Sequence, residues 1–229
     1  MTRPPALPDP LVPDGEVFER MDRAERLQHF LVILSFTALA ASGLPLLAHP
    51  SAAAAARLVA VHHASAALFI VALAWHVLRA LLTVRGRAHL RERVPRARDL
   101  RGPAGRYRPV DKADYWGFIF GSAVMIVTGI SMAAPGPALE LVSPAVFRAL
   151  VAVHAGEAVL AVAVVLTWHA YAAHLRPGVF PMSRVWLDGR VTGAELRRDH
   201  PLEYRALVES RRATADGTAG PEKSIIGTE

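Results

Sequence analysis

Two apolar stretches of this chain open with Val-His and close with Trp-His: Val61-His62 to Trp75-His76, and Val153-His154 to Trp168-His169. Each is long enough to cross a bilayer as a helix, so each carries two imidazoles on roughly one face. A separation of 14 residues turns an α-helix about 1400°, some 40° short of four turns, and a separation of 15 overshoots by about 60°. Both separations rise roughly 21 to 22 Å, about one leaflet and a half. Low-spin haem iron takes an imidazole on each side. Two parallel helices of this kind can therefore hold one haem near each membrane surface.

Two further apolar runs complete a set of four expected spans: about Leu27 to Ala48, Leu58 to Val84, Tyr115 to Ala134, and Val146 to Leu175. The chain of 229 residues is 52% apolar and 20% charged, yet only Arg79, Arg148 and Glu157 carry charge inside those spans. This pattern predicts an all-α, integral membrane four-helix bundle, with the first span kept as an anchor. Cysteine is absent. Thiolate-held iron-sulfur clusters, disulfides and covalent c-type haem are excluded, so any haem is non-covalent and b-type, held by side chains such as histidine.

Basic residues predict the orientation. Arg85 to Lys112 holds ten Lys or Arg and the region after Leu175 holds nine, whereas the loops after spans one and three are nearly free of them. By the positive-inside rule both termini and the middle loop lie on the cytoplasmic side of a bacterial inner membrane. The net charge of +6 then reports topology and anionic lipid; nucleic acid is not an expected partner.

Along the chain, residues 1–15, with five prolines, read as a disordered lead, and Glu16 to Arg26 as an amphipathic approach to the membrane. The membrane domain with its cytoplasmic appendage is expected over 16–208, and Arg85 to Asp111 as an Arg-rich loop. Thr192 and Glu195 are spaced as a capping box for a short cytoplasmic helix at about 193–208, before a disordered tail at 213–229. Spans one and three both end in small residues, Ser42-Gly43 and Thr128-Gly129, which suits close approach of a helix or a porphyrin and hints at a duplicated hairpin.

Depth sorts the ten histidines. His62, His76, His154 and His169 lie inside spans, where a polar side chain is costly and functional by default. His62 with His154 forms the expected outer pair. His169 anchors the inner one, with either His76 or His29, at the start of span one, as its partner. His63 is expected beside a propionate, His174 at the interface, and His49, His89 and His200 in solvent. Glu157, one turn from His154, suits a proton-handling or hydrogen-bonding role. Tyr107, Arg108, Asp111 and Lys112 supply polar groups at the start of span three, where a quinone could exchange protons with water. Contact with lipid phosphates accounts for the same four residues.

Several of these residues carry a family resemblance. Arg26 and His29, Val61-His62, His154, His169-Ala-Tyr171 and Gly189-Arg-Val191 resemble the di-haem cytochrome b subunits of membrane formate dehydrogenases, and the cytochromes of nickel-iron hydrogenase and thiosulfate reductase are similar. Lys112-Ala-Asp-Tyr115-Trp116, His154-Ala-Gly-Glu157-Ala158, Phe180-Pro-Met182 and His200-Pro-Leu-Glu-Tyr204 resemble the cytochrome b/b6-domain proteins associated with multihaem cytochromes. The likeness covers about residues 19–208. The formate dehydrogenase pattern implies an outer haem on His62 and His154 and an inner haem on His29 and His169, with menaquinone near Arg106 to Lys112, where this chain departs at Arg108 and Val110. His76-Val-Leu-Arg79 is similar instead to bc-type cytochromes, whose paired spans supply all four ligands, which favours His76.

The expected function is electron transfer across the membrane by two b haems, between menaquinone or ubiquinone and a multihaem cytochrome c or iron-sulfur subunit outside. Such a chain is an oxidoreductase subunit without a substrate site of its own. The rival class is a non-haem anchor, or a module moving protons or metal ions.

Overall fold

The computed structural model describes residues 8–100 and 102–217. The described chain runs β1 (Val17–Glu19), α1 (Arg23–Gly43), α2 (Ala52–Leu82), α3 (Val84–Arg93), α4 (Pro109–Ala133), α5 (Pro135–Leu141), α6 (Pro144–Val164), α7 (Val185–Asp188), β2 (Arg190–Thr192), α8 (Gly193–Asp199) and α9 (Pro201–Ala215). It divides into a bundle, Gln28–Thr83 with Asp114–Met182, and a second unit made of Met1–Leu27, Val84–Ala113 and Ser183–Glu229.

Four helical stretches are long and apolar enough to cross a membrane: Arg23–Ala48, Ala52–Leu82, Pro109–Ala133 and Pro144–Leu175, of 26, 31, 25 and 32 residues. Each exceeds the roughly 20 residues a bilayer core requires. Their ends follow from local chemistry. A single 3₁₀ turn, Leu44–Ala48, closes the first span with Pro45 inside it, and His49 turns the chain in the left-handed region at φ 50°. Ser143 caps α6 by accepting from the Val146 N–H at 3.4 Å, with Pro144 behind it as the first helical residue. Hydroxyls within the spans are satisfied by their own helices, as lipid demands: Ser35 donates to Leu31 O at 2.7 Å. Phe69, buried on α2, meets Phe118 of α4 edge to face with centroids 5.9 Å apart, while Phe120, Leu82 and Leu166 point outward as a lipid-facing surface should.

The second unit has its own small core of Val12, Phe18, Val191, Leu196, Tyr204 and Val208. Here the structure departs from the sequence reading in four places. The lead is held at Asp9 and Val12: Val12 is fully buried, and the Tyr204 hydroxyl accepts from Asp9 N–H and donates to Val12 O at 2.9 and 3.2 Å. Residues 1–7 of that lead lie outside the described residues. The amphipathic approach to the membrane holds a strand, where Val17–Glu19 pairs antiparallel with Arg190–Thr192, a β-branched and aromatic pairing far apart in sequence. Residues 85–93 of the Arg-rich loop lie in α3, which starts at Val84 and ends before Pro95. Pro201 divides the expected C-terminal helix into α8 and α9, and α9 continues to Ala215, into the expected tail. The capping box of Thr192 and Glu195 is present at the start of α8.

Two histidines expected in solvent have partners here instead, His89 buried and His200 half-buried. His89 meets Glu25 at 3.2 Å, and His200 donates from Nδ1 to Gly105 O at 2.9 Å beside the guanidinium of Arg20. Burial, then the Arg20 charge, pushes His200 down from 6.5 to about 4. Burial alone would raise the Glu203 carboxyl, but Arg20 and Arg106, paired to it at 2.7 and 2.9 Å, outweigh that and hold it low. A base with a depressed value in the fold binds its proton first in the unfolded chain, so acidification from 6.5 toward 4 costs this unit stability. The slope is at most about 1.4 kcal/mol per pH unit. Loss of the Glu203 contribution follows below the ordinary carboxylate range. Thermal unfolding of the detergent-solubilised protein should therefore shift downward over that interval, and less steeply in His200→Gln. Parallel slopes for the two proteins would contradict this.

Candidate functional site

In the bundle, α2 and α6 bring His62 and His154 together, with ring centroids 6.3 Å apart and planes inclined at 71°. Each ring is fixed by the hydroxyl at the end of the preceding span. Ser42 Oγ lies 3.2 Å from His62 Nδ1, and Thr128 Oγ1 lies 2.8 Å from His154 Nδ1. These hydroxyls have one proton each and donate it to their own helices, Ser42 to Ala38 O at 2.6 Å and Thr128 to Val124 O at 2.7 Å. They can only accept from the imidazoles, so Nδ1 carries the hydrogen and Nε2 keeps the lone pair. The glycine following each hydroxyl makes room for the ring. A Cβ on Gly43 would lie 3.0 Å from His62 Cε1, and one on Gly129 3.2 Å from His154 Cε1. Ser42-Gly43 with His62 and Thr128-Gly129 with His154 are thus the same device, built twice. A cavity of about 330 Å³ adjoins it, lined by Ala38, Ala41, Ser42, Arg57, Leu58 and Val61.

Toward the other end of the spans, His169 Nδ1 meets Asp114 Oδ2 at 3.2 Å. An ionised carboxylate only accepts, so here too Nε2 is left with the lone pair. His29 is half-buried on α1, and His174 lies in the last turn of the fourth span. His76 is differently placed: Nδ1 lies 3.2 Å from Gln28 Oε1, and Nε2 lies 3.1 Å from the Tyr115 hydroxyl. With Nδ1–H given to the amide oxygen, the Nε2 lone pair takes the tyrosine proton, and both nitrogens are engaged.

The sequence spacing of 14 residues in α2 against 15 in the fourth span leaves a mismatch of about 100° in an ideal helix. The fourth span departs from the ideal helix. After Val164 the α-helix widens into π turns, Val165–His169 and Tyr171–Leu175, in which Ala170 N–H bonds to Val165 O and Arg176 N–H to Tyr171 O. An i→i+5 turn takes in one residue more than an α turn. Thr167 donates to Ala163 O at 2.7 Å, a side-chain bond that competes with the main-chain ladder at that point.

A family model for prokaryotic cytochrome b561 matches residues 20–182, well over half of the chain. The chain belongs to the prokaryotic cytochrome b561 family. No curated protein matches it. As a member of this family it is a bacterial membrane protein of the b-type haem electron-transfer class, and the family name implies a bound b-type haem.

The residues present in this cytochrome fit that group. A metal held by imidazole nitrogens at about 2 Å on each side places the two ring centres about 6 Å apart, as found for His62 and His154, and both rings present the tautomer that an Nε2-bound iron requires. The four residues expected at a quinone site are held by partners in the second unit. Asp111 accepts from Arg108 Nη2 at 2.6 Å, Lys112 Nζ donates to Asp99 at 2.8 Å, and the Tyr107 ring lies 4.8 Å from the Arg93 guanidinium. Glu157 packs on α4 where Gly121 leaves space, since a Cβ there would come within 2.7 Å of Oε1. His63 and His49 are exposed. Sequence reasoning missed Ser42, Thr128 and Asp114 as partners of histidines. Their signals were present: a hydroxyl before each glycine, and a carboxylate in the Lys112 to Trp116 segment.

Proposed function

We propose that this cytochrome carries electrons across the membrane through two b haems, one held by His62 and His154 and the other by His29 and His169. The observation that carries the reading is the paired tautomer lock: a hydroxyl that must accept, an Nδ1 that must donate, and two rings 6.3 Å apart. His29 is preferred to His76 at the inner site because Gln28 and Tyr115 already occupy both nitrogens of His76. Bound haem supplies a one-electron couple without proton chemistry of its own. The protein supplies orientation through Ser42, Thr128 and Asp114, and Arg57 beside the outer cavity is a suitable cation for a porphyrin carboxylate. In this reading the inner site faces the cytoplasm, which the positive-inside rule supports through the basic residues of the middle segment and the C-terminal region.

Quinone is the mobile partner in this reading, with Tyr107, Arg108, Asp111 and Lys112 at its site and a multihaem cytochrome c or iron-sulfur subunit as the partner outside. The fixed pairs Arg108–Asp111 and Lys112–Asp99 hold a carboxylate and an ammonium in set positions, as hydrogen bonding to a quinone oxygen with proton exchange would use. The test is quinol-driven haem reduction in proteoliposomes. Asp111→Asn and Lys112→Ala should retain both haems and slow reduction by about 10²-fold or more, the scale of a lost acid or base. Unchanged rates and inhibitor sensitivity in both variants would remove the quinone from this segment.

A further inference from the structure

The histidines of the bundle are held by partners of different charge. His62 and His154 donate to neutral hydroxyls, at 3.2 and 2.8 Å. His169 donates to the Asp114 carboxylate at 3.2 Å. We infer that Asp114 is a positioning residue that sets the potential order of the two haems, making the inner site the harder to reduce. This rests on the reading that His169 is an iron ligand.

The physical reason is twofold. A carboxylate accepting the Nδ1 hydrogen draws that proton toward itself, so Nε2 becomes a stronger donor and favours the ferric state. The anion itself, one imidazole away from the iron, stabilises the higher positive charge, and the low dielectric of a membrane bundle enlarges the effect. Ser42 and Thr128 do neither, because a hydroxyl that has donated its proton to a helical carbonyl is only a weak acceptor dipole. The asymmetry lies in the sequence as well: the repeated hydroxyl-glycine device serves the outer pair twice, and the inner ligand is given an acid instead. With haem held at both sites, this order would favour passage of one electron from the inner site to the outer, and a quinol would be the class of reductant supplying the inner site.

The experiment is a spectroscopic redox titration of the purified holoprotein carrying Asp114→Asn, Asp114→Glu or His169→Ala. Asp114→Asn should keep both haems and raise the lower midpoint by about tenfold in the reduction equilibrium, about 59 mV for a one-electron couple, with the upper midpoint unmoved. Asp114→Glu, which keeps the charge, should stay near the parent value. Two unchanged midpoints in Asp114→Asn, or movement of the upper one, would overturn the inference. Should Asp114→Asn release haem, Thr128→Asp decides: the same carboxylate placed behind His154 should lower the outer midpoint, and an unmoved outer midpoint would overturn the inference. His169→Ala separates this from the underlying reading. If it loses one haem while Asp114→Asn moves no midpoint, the ligand stands and the role of Asp114 falls. If it keeps both haems, the ligand assignment itself falls.

Discussion

His62→Ala and His154→Ala should each purify with one b haem per chain in place of two. The two rings sit opposite each other at the separation that two metal–imidazole bonds require, and neither has a neighbouring histidine in contact that could take its place: His63 is the adjacent residue and, about 100° around the helix, is exposed. Removing one ring leaves the iron with a single protein ligand and, in its place, a gap on an apolar helix face. The supporting residues should matter less. Ser42→Ala and Thr128→Ala retain the ligand but release its tautomer and orientation, a loss on the order of 10- to 100-fold in affinity. Haem quantified against protein in all four variants checks the ranking. Two haems retained in both histidine variants would show that the outer pair binds no iron.

His169→Ala should remove the inner haem and His29→Ala should remove it too, whereas His76→Ala should keep both haems. The contrast follows from hydrogen bonding. A ligand needs a free lone pair on the ring nitrogen facing the metal, and the Nε2 of His76 has the Tyr115 hydroxyl 3.1 Å away. For His169 the carboxylate of Asp114 occupies only Nδ1. His76→Ala is expected to act on proton or quinone chemistry through Tyr115 and Gln28, with quinol-driven rates lowered and the low-spin spectrum intact. Loss of the inner haem in His76→Ala with its retention in His29→Ala would reverse the assignment and favour the helix-pair arrangement.

The four helices were legible because membrane spans announce themselves through length and the absence of charge. The histidines were legible because imidazole inside such a span is costly and conspicuous. What held them was not legible. Ser42 and Thr128 read as ordinary small residues near helix ends, and they do bond to their own helices; their second role needs the neighbouring helix in place. The glycines beside them were read as admitting a helix or a porphyrin, yet Gly43 and Gly129 adjoin an imidazole. The π turns after Val164 depend on main-chain bonds that a residue count does not encode. The second unit was the hardest to foresee. Its core joins Val12 and Phe18 to Val191, Leu196, Tyr204 and Val208 across the length of the chain, and proline-rich or Arg-rich composition alone gives no hint of such distant partners.

The central claim is that one chain holds two low-spin b haems, each between two histidines. The most direct measurement is the reduced-minus-oxidised optical spectrum of the purified protein, with haem extracted and counted against protein concentration. The account requires two b haems per chain, both six-coordinate and low-spin. One haem, none, or a five-coordinate high-spin signal at either site would contradict it.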